Sequence, residues 1–360
     1  MRVRTGVGVI ELRVWHGQDR RTKRWGCPIR KRWGFSPHQV LSPWLQERLA
    51  FTVTQIGSYE GAAAMARNWG YAGADDSSLH ALTQRLGAQA EAQTQQRLKK
   101  LPQEREPKGP ASELAVFMLD GWQVRQRGPG WGKKKTQKTR VEWHELKTGV
   151  FYFQEQACRA GERGVLTDKV VISWQGSPVE LGERLHYEAM RRGLSRAQAK
   201  VVVADGALWI WNVVADRWAG ASEVLDFYHA SEHLWSLGRA LVGEAQARFW
   251  VEPRLHQLRH GQQKQLLQEI AALEVPASEA GEVVAREQNY FASQAQRMKY
   301  REFVRAGYPI GSGAVESACK QRQGRFKRPG QFWTERGLRH LCALEEARYN
   351  GHWDQLSFAQ

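Results

Sequence analysis

The sequence predicts an α/β protein in which a mixed β-sheet is flanked by helices, interrupted by an all-α insertion and preceded by a helical region. Three observations predict it. Between residues 111 and 229, short apolar runs first follow one another closely and then alternate with helical patterns, as in a sheet that begins antiparallel and continues parallel. Residues 230–307 show helical spacing throughout and offer no strand. Two of the apolar runs, Phe117-Met-Leu-Asp120-Gly and Val203-Ala-Asp205-Gly, end on an Asp-Gly pair, which places a carboxylate at the end of a buried strand.

Taken in order, residues 1–45 form a basic N-terminal arm. It opens on a strand-like run from Val7 to Trp15 and continues through Arg20-Arg-Thr-Lys-Arg-Trp25 to Lys31-Arg32. This pattern fits a DNA-contacting arm and fits a solvated hairpin equally well. Residues 46–105 read as a helix-turn-helix-like DNA-binding region with a linker. Ser42-Pro43 suits a helix start, and Ser58 caps an alanine-rich helix that reaches Arg67. A turn from Gly70 to Gly73 leads to a second helix, capped near Asp76-Ser77-Ser78 and running through Leu79, Leu82 and Leu86. Two helices across such a turn fit a helix-turn-helix whose second helix enters the major groove. An αα-hairpin without DNA contact fits the same pattern. Residues 88–110, rich in Gln, Lys, Glu and Pro, read as the linker.

A first core segment spans 106–229. Leu114 to Leu119 is a buried strand, Gly121 to Arg127 its return, Gly128 to Lys138 an exposed loop, and Val141 to Leu146 and Val150 to Phe153 the next two strands. A helix from Pro178 to Gly193, a strand from Ala199 to Ala204 ending on Asp205, a helix from Ala207 to Trp218 and a strand from Val224 to His229 follow. After the all-α insertion, 230–307, comes the last segment, 308–360. There Pro309 and the Gly311-Ser-Gly313 turn precede a helix with Glu316 in its first turn and Lys320 on the same face. A basic segment with Arg322, Arg325 and Lys327 then leads to a final helix through Leu338, Leu341 and Leu344.

Lys and Arg total 53 against 37 Asp and Glu, a formal charge of +16 over 360 residues, which points to a polyanionic partner. The four cysteines form no Cys-x-x-Cys pair, so neither a zinc ribbon nor a disulfide framework is indicated, which suits reduced thiols. No charged-then-apolar leader opens the chain and no apolar run approaches membrane-spanning length. The expectation is a cytoplasmic protein without membrane contact, associated with the nucleoid when bound to DNA.

Within this basic chain Asp120, Asp205 and Glu316 read as one metal site. They are carboxylates on separate elements, able to converge on hard divalent cations as phosphoryl transfer on nucleic acid requires. One Asp-Gly after an apolar run is ordinarily a turn. Two of them, with a Gly-Ser-Gly turn leading into a Glu-bearing helix, argue for chemistry.

The order Asp120-Gly, Asp205-Gly-Ala-Leu-Trp-Ile-Trp, Leu225-Asp-Phe-Tyr-His229 with Glu232, Tyr308-Pro-Ile-Gly-Ser-Gly-Ala-Val-Glu316, Lys320, Arg325-x-Lys327, Gly330 and Trp333 resembles DDE insertion-sequence transposases, most closely the ISKra-type group. The resemblance covers roughly residues 111–350. It implies an RNase H-like catalytic core interrupted by a helical insertion between the second Asp and the Glu, with Asp120, Asp205 and Glu316 as the metal-binding triad. Asp226 and His229 match the Asp-x-x-His pattern of several transposase groups. The paired cysteines of the zinc module found near the N-terminus of some relatives are missing here.

The chemistry of such ligands calls for Mg²⁺, with Mn²⁺ as a substitute and two ions as the expected number. The partners are DNA element ends and target DNA, with a homo-oligomer assembled on them. Lys320 would hold a phosphate as a point charge, and Arg322, Arg325 and Lys327 would follow the backbone. His229 would orient the site through a hydrogen bond. Tyr300, flanked by Arg297, Lys299 and Arg301, would stack on an unpaired base. Two alternatives share these features: a nuclease that cleaves without strand transfer, and a transposase-derived DNA-binding regulator.

Overall fold

The computed structural model describes residues 1–33, 35, 40–71, 74–100, 112–132, 140–161, 163–275 and 277–358. The chain divides into two compact units. The first comprises Met1–Gln103, Gln123–Glu145 and Lys320–Gln360, the second Glu104–Trp122 and Leu146–Cys319. Among the described residues no helix is long and apolar enough to cross a membrane.

The N-terminal run folds as two hairpins rather than one strand. β1 (Arg2–Thr5) pairs antiparallel with β2 (Gly8–Glu11), and β3 (Gly17–Gln18) with β4 (Trp25–Gly26), before the short α1 (Pro28–Arg32). α2 (Pro43–Gln55) starts where Ser42 Oγ accepts the Leu45 N–H, and α3 (Tyr59–Asn68) where Ser58 Oγ accepts the Gly61 N–H. α4 (Asp76–Lys100) begins where expected and departs from expectation at its C-terminal end. Its cap is Asp75, whose carboxylate accepts the Ser78 N–H at 2.6 Å. Its last turns consist of residues read as linker, because Ala, Gln, Arg and Lys are good helix formers whatever their polarity. The remaining linker residues, 101–110, part of the Gly70–Gly73 turn and the loop residues 133–138 lie outside the described residues.

Asp120-Gly121 is not a turn. β5 (Leu114–Arg127) runs straight through it, buried on both faces as far as Leu119 and then alternating. β6 (Val141–Phe153) is likewise one strand where two were expected. Gly149 lies inside it because a Cβ there would come within 2.6 Å of Leu185. Continuous pairing overrides these local turn signals, since β5 and β6 are neighbours in one sheet. Next come β7 (Ala157–Ala160), β8 (Arg163–Leu166), β9 (Val170–Trp174) and α5 (Pro178–Arg191), the last held by a Ser177–Glu180 capping box. β10 (Ala199–Ala204) and α6 (Leu208–Arg217) match expectation. β11 (Ser222–Leu225) stops before Asp226, which caps α7 (Phe227–Val242), so residues 227–229 are helix and not strand. The insertion continues as α8 (Glu244–Arg259), α9 (Gln263–Ala271), α10 (Glu279–Gln294) and α11 (Tyr300–Arg305). α12 (Gly313–Phe326) carries Glu316 in its first turn, and α13 (Glu335–Tyr349) ends the helical set.

In the first unit α4 buries Leu79, Leu82, Leu86 and Ala90, and α13 buries Leu338, Leu341 and Leu344. The two helices pack so closely that a Cβ on Gly87 would meet the His340 carbonyl at 2.2 Å. The five-stranded sheet has the order β11-β10-β5-β6-β9, with β10 parallel to β5 and β11, and β9 antiparallel to β6. It is a mixed sheet flanked by helices. On one face Phe117, Phe151, Val202 and Ile172 pack with Leu181 and Leu185 of α5 and with Trp211 and Val214 of α6. Trp122 Nε1 donates to Thr148 Oγ1 at 3.0 Å, and Thr148 shares a 2.9 Å hydrogen bond with Ser173, so the polar groups buried across β5, β6 and β9 satisfy one another.

Candidate functional site

Strand register places the acidic residues. Ala204 of β10 lies opposite both Leu119 of β5 and Leu225 of β11. Each is followed immediately by an aspartate, so Asp205, Asp120 and Asp226 emerge side by side as the parallel strands pass one level. The Asp205 turn requires Gly206, whose φ is +98° and where a Cβ would press on Leu225 and Gln294. α10 holds this turn from the insertion: Tyr290 Oη donates to the Asp205 carbonyl and Gln294 Nε2 to the Gly206 carbonyl, both at 3.1 Å.

The start of α12 is fixed by Asp226. This aspartate is 2% exposed; one oxygen accepts the His229 N–H at 2.8 Å and the other the backbone N–H of Ser312. Ser312 Oγ in turn donates to Glu316 Oε1 at 3.2 Å. Asp120, Asp205 and Glu316 thus line one cavity of about 550 Å³ together with Asp226, His229, Glu232, Tyr228 and Ser312. Among the described residues no Lys or Arg lines it. Burial, reinforced by the Asp205 and Glu316 carboxylates, pushes the Asp120 carboxyl above its ordinary value.

This lining has the composition that suits a hard cation: several carboxylates and no fixed positive charge. In the conformations present, no group of three or more His, Cys, Asp or Glu side chains among the described residues is gathered closely enough to hold a metal ion. Each carboxylate is instead held by a nearby donor, Asp120 by the Gly121 N–H at 2.6 Å and Asp205 by the Ala207 N–H at 3.0 Å.

A second row of residues, not singled out in the sequence, supports His229. His233 Nε2 lies 3.3 Å from His229 Nε2, and its Nδ1 lies 2.5 Å from the buried Glu287 carboxylate of α10. The His233 ring stacks on Tyr290 with centroids 3.5 Å apart. The spacing of His229 and His233, one helical turn, was the available signal. Glu287 and Tyr290 lie more than fifty residues away and gave none.

The remaining expectations fare differently. Lys320 is exposed on α12, one turn after Glu316, outside the cavity lining. Tyr300 is fully buried, its ring set edge-on against Phe227 at 5.1 Å, and is not available to stack on a base. Arg322 is buried in an ion pair with Glu345. Arg325 is buried and donates to the Gly57 carbonyl at 2.8 Å. Neither forms part of a surface track for a DNA backbone. Lys327 is half-buried, its ammonium 5.7 Å from the Trp143 ring centroid. A basic run carries no mark of the distant carboxylate that will pair with it, so its charge suggests exposure where the fold buries it.

The fold and cavity define a mixed α/β protein with a carboxylate-lined cavity where parallel β10 and β11 end beside the middle of β5. No protein-family model and no curated protein matches the chain. Among solved structures it is similar to the Drosophila P element transposase strand transfer complex, with 10% identity over 86% of this chain and 80% of that chain and a TM-score of 0.27. That score is too low to establish a shared fold.

Proposed function

We propose that this chain is a DDE transposase that cleaves and joins DNA strands at an RNase H-like core, with Asp120, Asp205 and Glu316 as its metal ligands. The observation that carries the reading is the common level of Asp120, within β5, and of Asp205 and Asp226, just past the ends of β10 and β11, lining with Glu316 a cavity that has no Lys or Arg in its described lining. The sheet order is compatible with an RNase H-like core, three strands β9, β6 and β5 on one side and parallel β10 and β11 on the other. The net charge of +16 suits a nucleic-acid substrate.

Two Mg²⁺ ions, or Mn²⁺ in their place, would supply Lewis-acid activation of a water or a 3′-hydroxyl and would stabilise the leaving oxygen. The protein's part is positioning. Asp226 holds the Ser312 loop so that Glu316 faces the strand ends. Hydrogen bonds from His233 and Arg286 keep Glu287 ionised, so His233 donates Nδ1–H to it and meets His229 through Nε2. His229 is thereby fixed at the cavity wall. A homo-oligomer assembled on element ends completes the proposal.

The test is incubation of the full chain with Mg²⁺, a pre-cut donor end bearing a 3′-hydroxyl and a target duplex, with products mapped on both strands. Joined donor–target molecules are expected. Cleavage without joining would favour a nuclease, and binding without either reaction a DNA-binding regulator.

A further inference from the structure

The first unit contains a second cavity, of about 600 Å³, whose charge is opposite to that of the first. Arg127, Arg325, Arg336 and His80 line it, and among the described residues no Asp or Glu does. The key group is Arg325. Its side chain is 7% exposed, and while Nη1 donates to the Gly57 carbonyl, Nε and Nη2 are buried without a hydrogen bond. The carboxylate nearest in its ion pair, Glu345, stands 3.9 Å away and is already paired with the equally buried Arg322. Two buried guanidiniums therefore share one close carboxylate. An uncompensated buried cation is among the more expensive features a fold can carry, and an anion in the cavity would relieve it.

Three further observations point the same way. The Tyr59 hydroxyl, which has Thr83 and Gln84 beside it, and the Gln84 side chain also line the cavity and offer it polar groups. Two helices present their N-terminal ends to the cavity, α3 through Ser58 and Tyr59 and α13 through Thr334 and Gly337, adding the positive ends of two helix dipoles. Burial and the charges of Arg127 and Arg336 hold His80 below its ordinary pKa, as a positive potential requires.

We infer that this cavity binds a phosphate-bearing ligand, a nucleotide unit whose phosphate lies against Arg325 and the Tyr59 hydroxyl between the two helix ends. The planar guanidinium suits two phosphate oxygens at once. The Tyr59, Phe332 and Trp333 rings give apolar wall for an attached base, and the volume falls within the range of about 300–1,000 Å³ usual for such sites. The unit is either a free nucleotide or part of an unpaired strand; the phosphate chemistry is the same. The site lies wholly within the first unit and does not depend on the chemistry of the carboxylate cavity.

The test uses the full chain without divalent cation, titrated with inorganic phosphate, with dAMP and with a short single-stranded oligonucleotide, followed by calorimetry and thermal shift. Saturable binding with a rise in melting temperature is expected for dAMP, and weaker binding for phosphate. Tighter binding of the oligonucleotide than of dAMP assigns the unit to a strand, and the reverse assigns it to a free nucleotide. Tyr59→Phe should weaken dAMP by about ten-fold, and Arg325→Met should abolish its binding without lowering the melting temperature of the ligand-free protein. Should Arg325→Met fail to fold, Tyr59→Phe and Arg336→Gln carry the test. No saturable binding of any probe, or binding unchanged in Tyr59→Phe and Arg336→Gln, overturns the proposal.

Discussion

The Asp226 carboxylate accepts the backbone N–H of Ser312, eighty-six residues further along the chain, while its other oxygen caps α7 at His229. One side chain thus ties the end of β11 to the start of two helices. Asp226→Asn keeps the shape but offers one acceptor and turns an N–H donor towards a second N–H. The variant should lose about 1–3 kcal/mol of stability in urea denaturation. It should also lose activity, because Ser312 no longer sets Glu316. Wild-type stability with full activity would refute this role.

Asp120 has its carboxyl raised above the ordinary 3.8 by burial and by neighbouring carboxylates. A raised acid favours the folded state below its ordinary value, and that advantage disappears as pH rises through the raised value. At neutral pH the ionised group therefore destabilises the metal-free protein. Asp120→Asn should raise the melting temperature in EDTA by about 1–3 °C and, on the proposed metal-site reading, lose catalysis and any stabilisation by Mg²⁺. The gain should vanish below pH 3.8. Calorimetric scans with and without Mg²⁺ across pH check it.

Tyr300 is core, so removing its ring should unfold the protein rather than slow it. Tyr300→Ala is expected to cost about 3–5 kcal/mol. Tyr300→Phe, which deletes a hydroxyl buried without a hydrogen bond, should be neutral or stabilising. A stable Tyr300→Ala protein with slowed strand cleavage would restore the stacking role.

Burial works to raise the Glu287 carboxyl, but hydrogen bonds from His233 and Arg286 hold it below the ordinary 4.5. A lowered acid stabilises the fold above its ordinary value, and this contribution is lost as pH falls through the lowered one. Glu287→Gln should therefore be less stable than wild type at neutral pH, with the gap closing in acid. Parallel denaturation curves of the two proteins between pH 3 and 7 read the difference directly, and a gap that stays constant would exclude the ionised pairing.

Removal of residues 1–105 takes α4 away from α13. Because α13 packs on α4 within one unit, with Gly87 against His340, the truncated chain should expose Leu338, Leu341 and Leu344 and aggregate. Solubility and circular dichroism of the truncated chain decide it.

Local chemistry determined much of this protein. The helix start at Ser42-Pro43, the Ser58 cap, the helix beginning at Pro178, the apolar run ending on Asp205 and the first-turn position of Glu316 follow from neighbours within four residues, so they were legible in the sequence. The helical character of the insertion was legible from its periodicity for the same reason. Other features depended on partners far along the chain. Asp120-Gly121 reads as a turn until β5 continues through it beside β6, and Asp226-x-x-His229 reads as strand until the carboxylate takes up the first turn of α7. Arg322, Arg325 and Tyr300 read as a nucleic-acid surface until Glu345 and Phe227 bury them. Only tertiary structure decided these, because burial and pairing are set by residues a sequence window cannot contain.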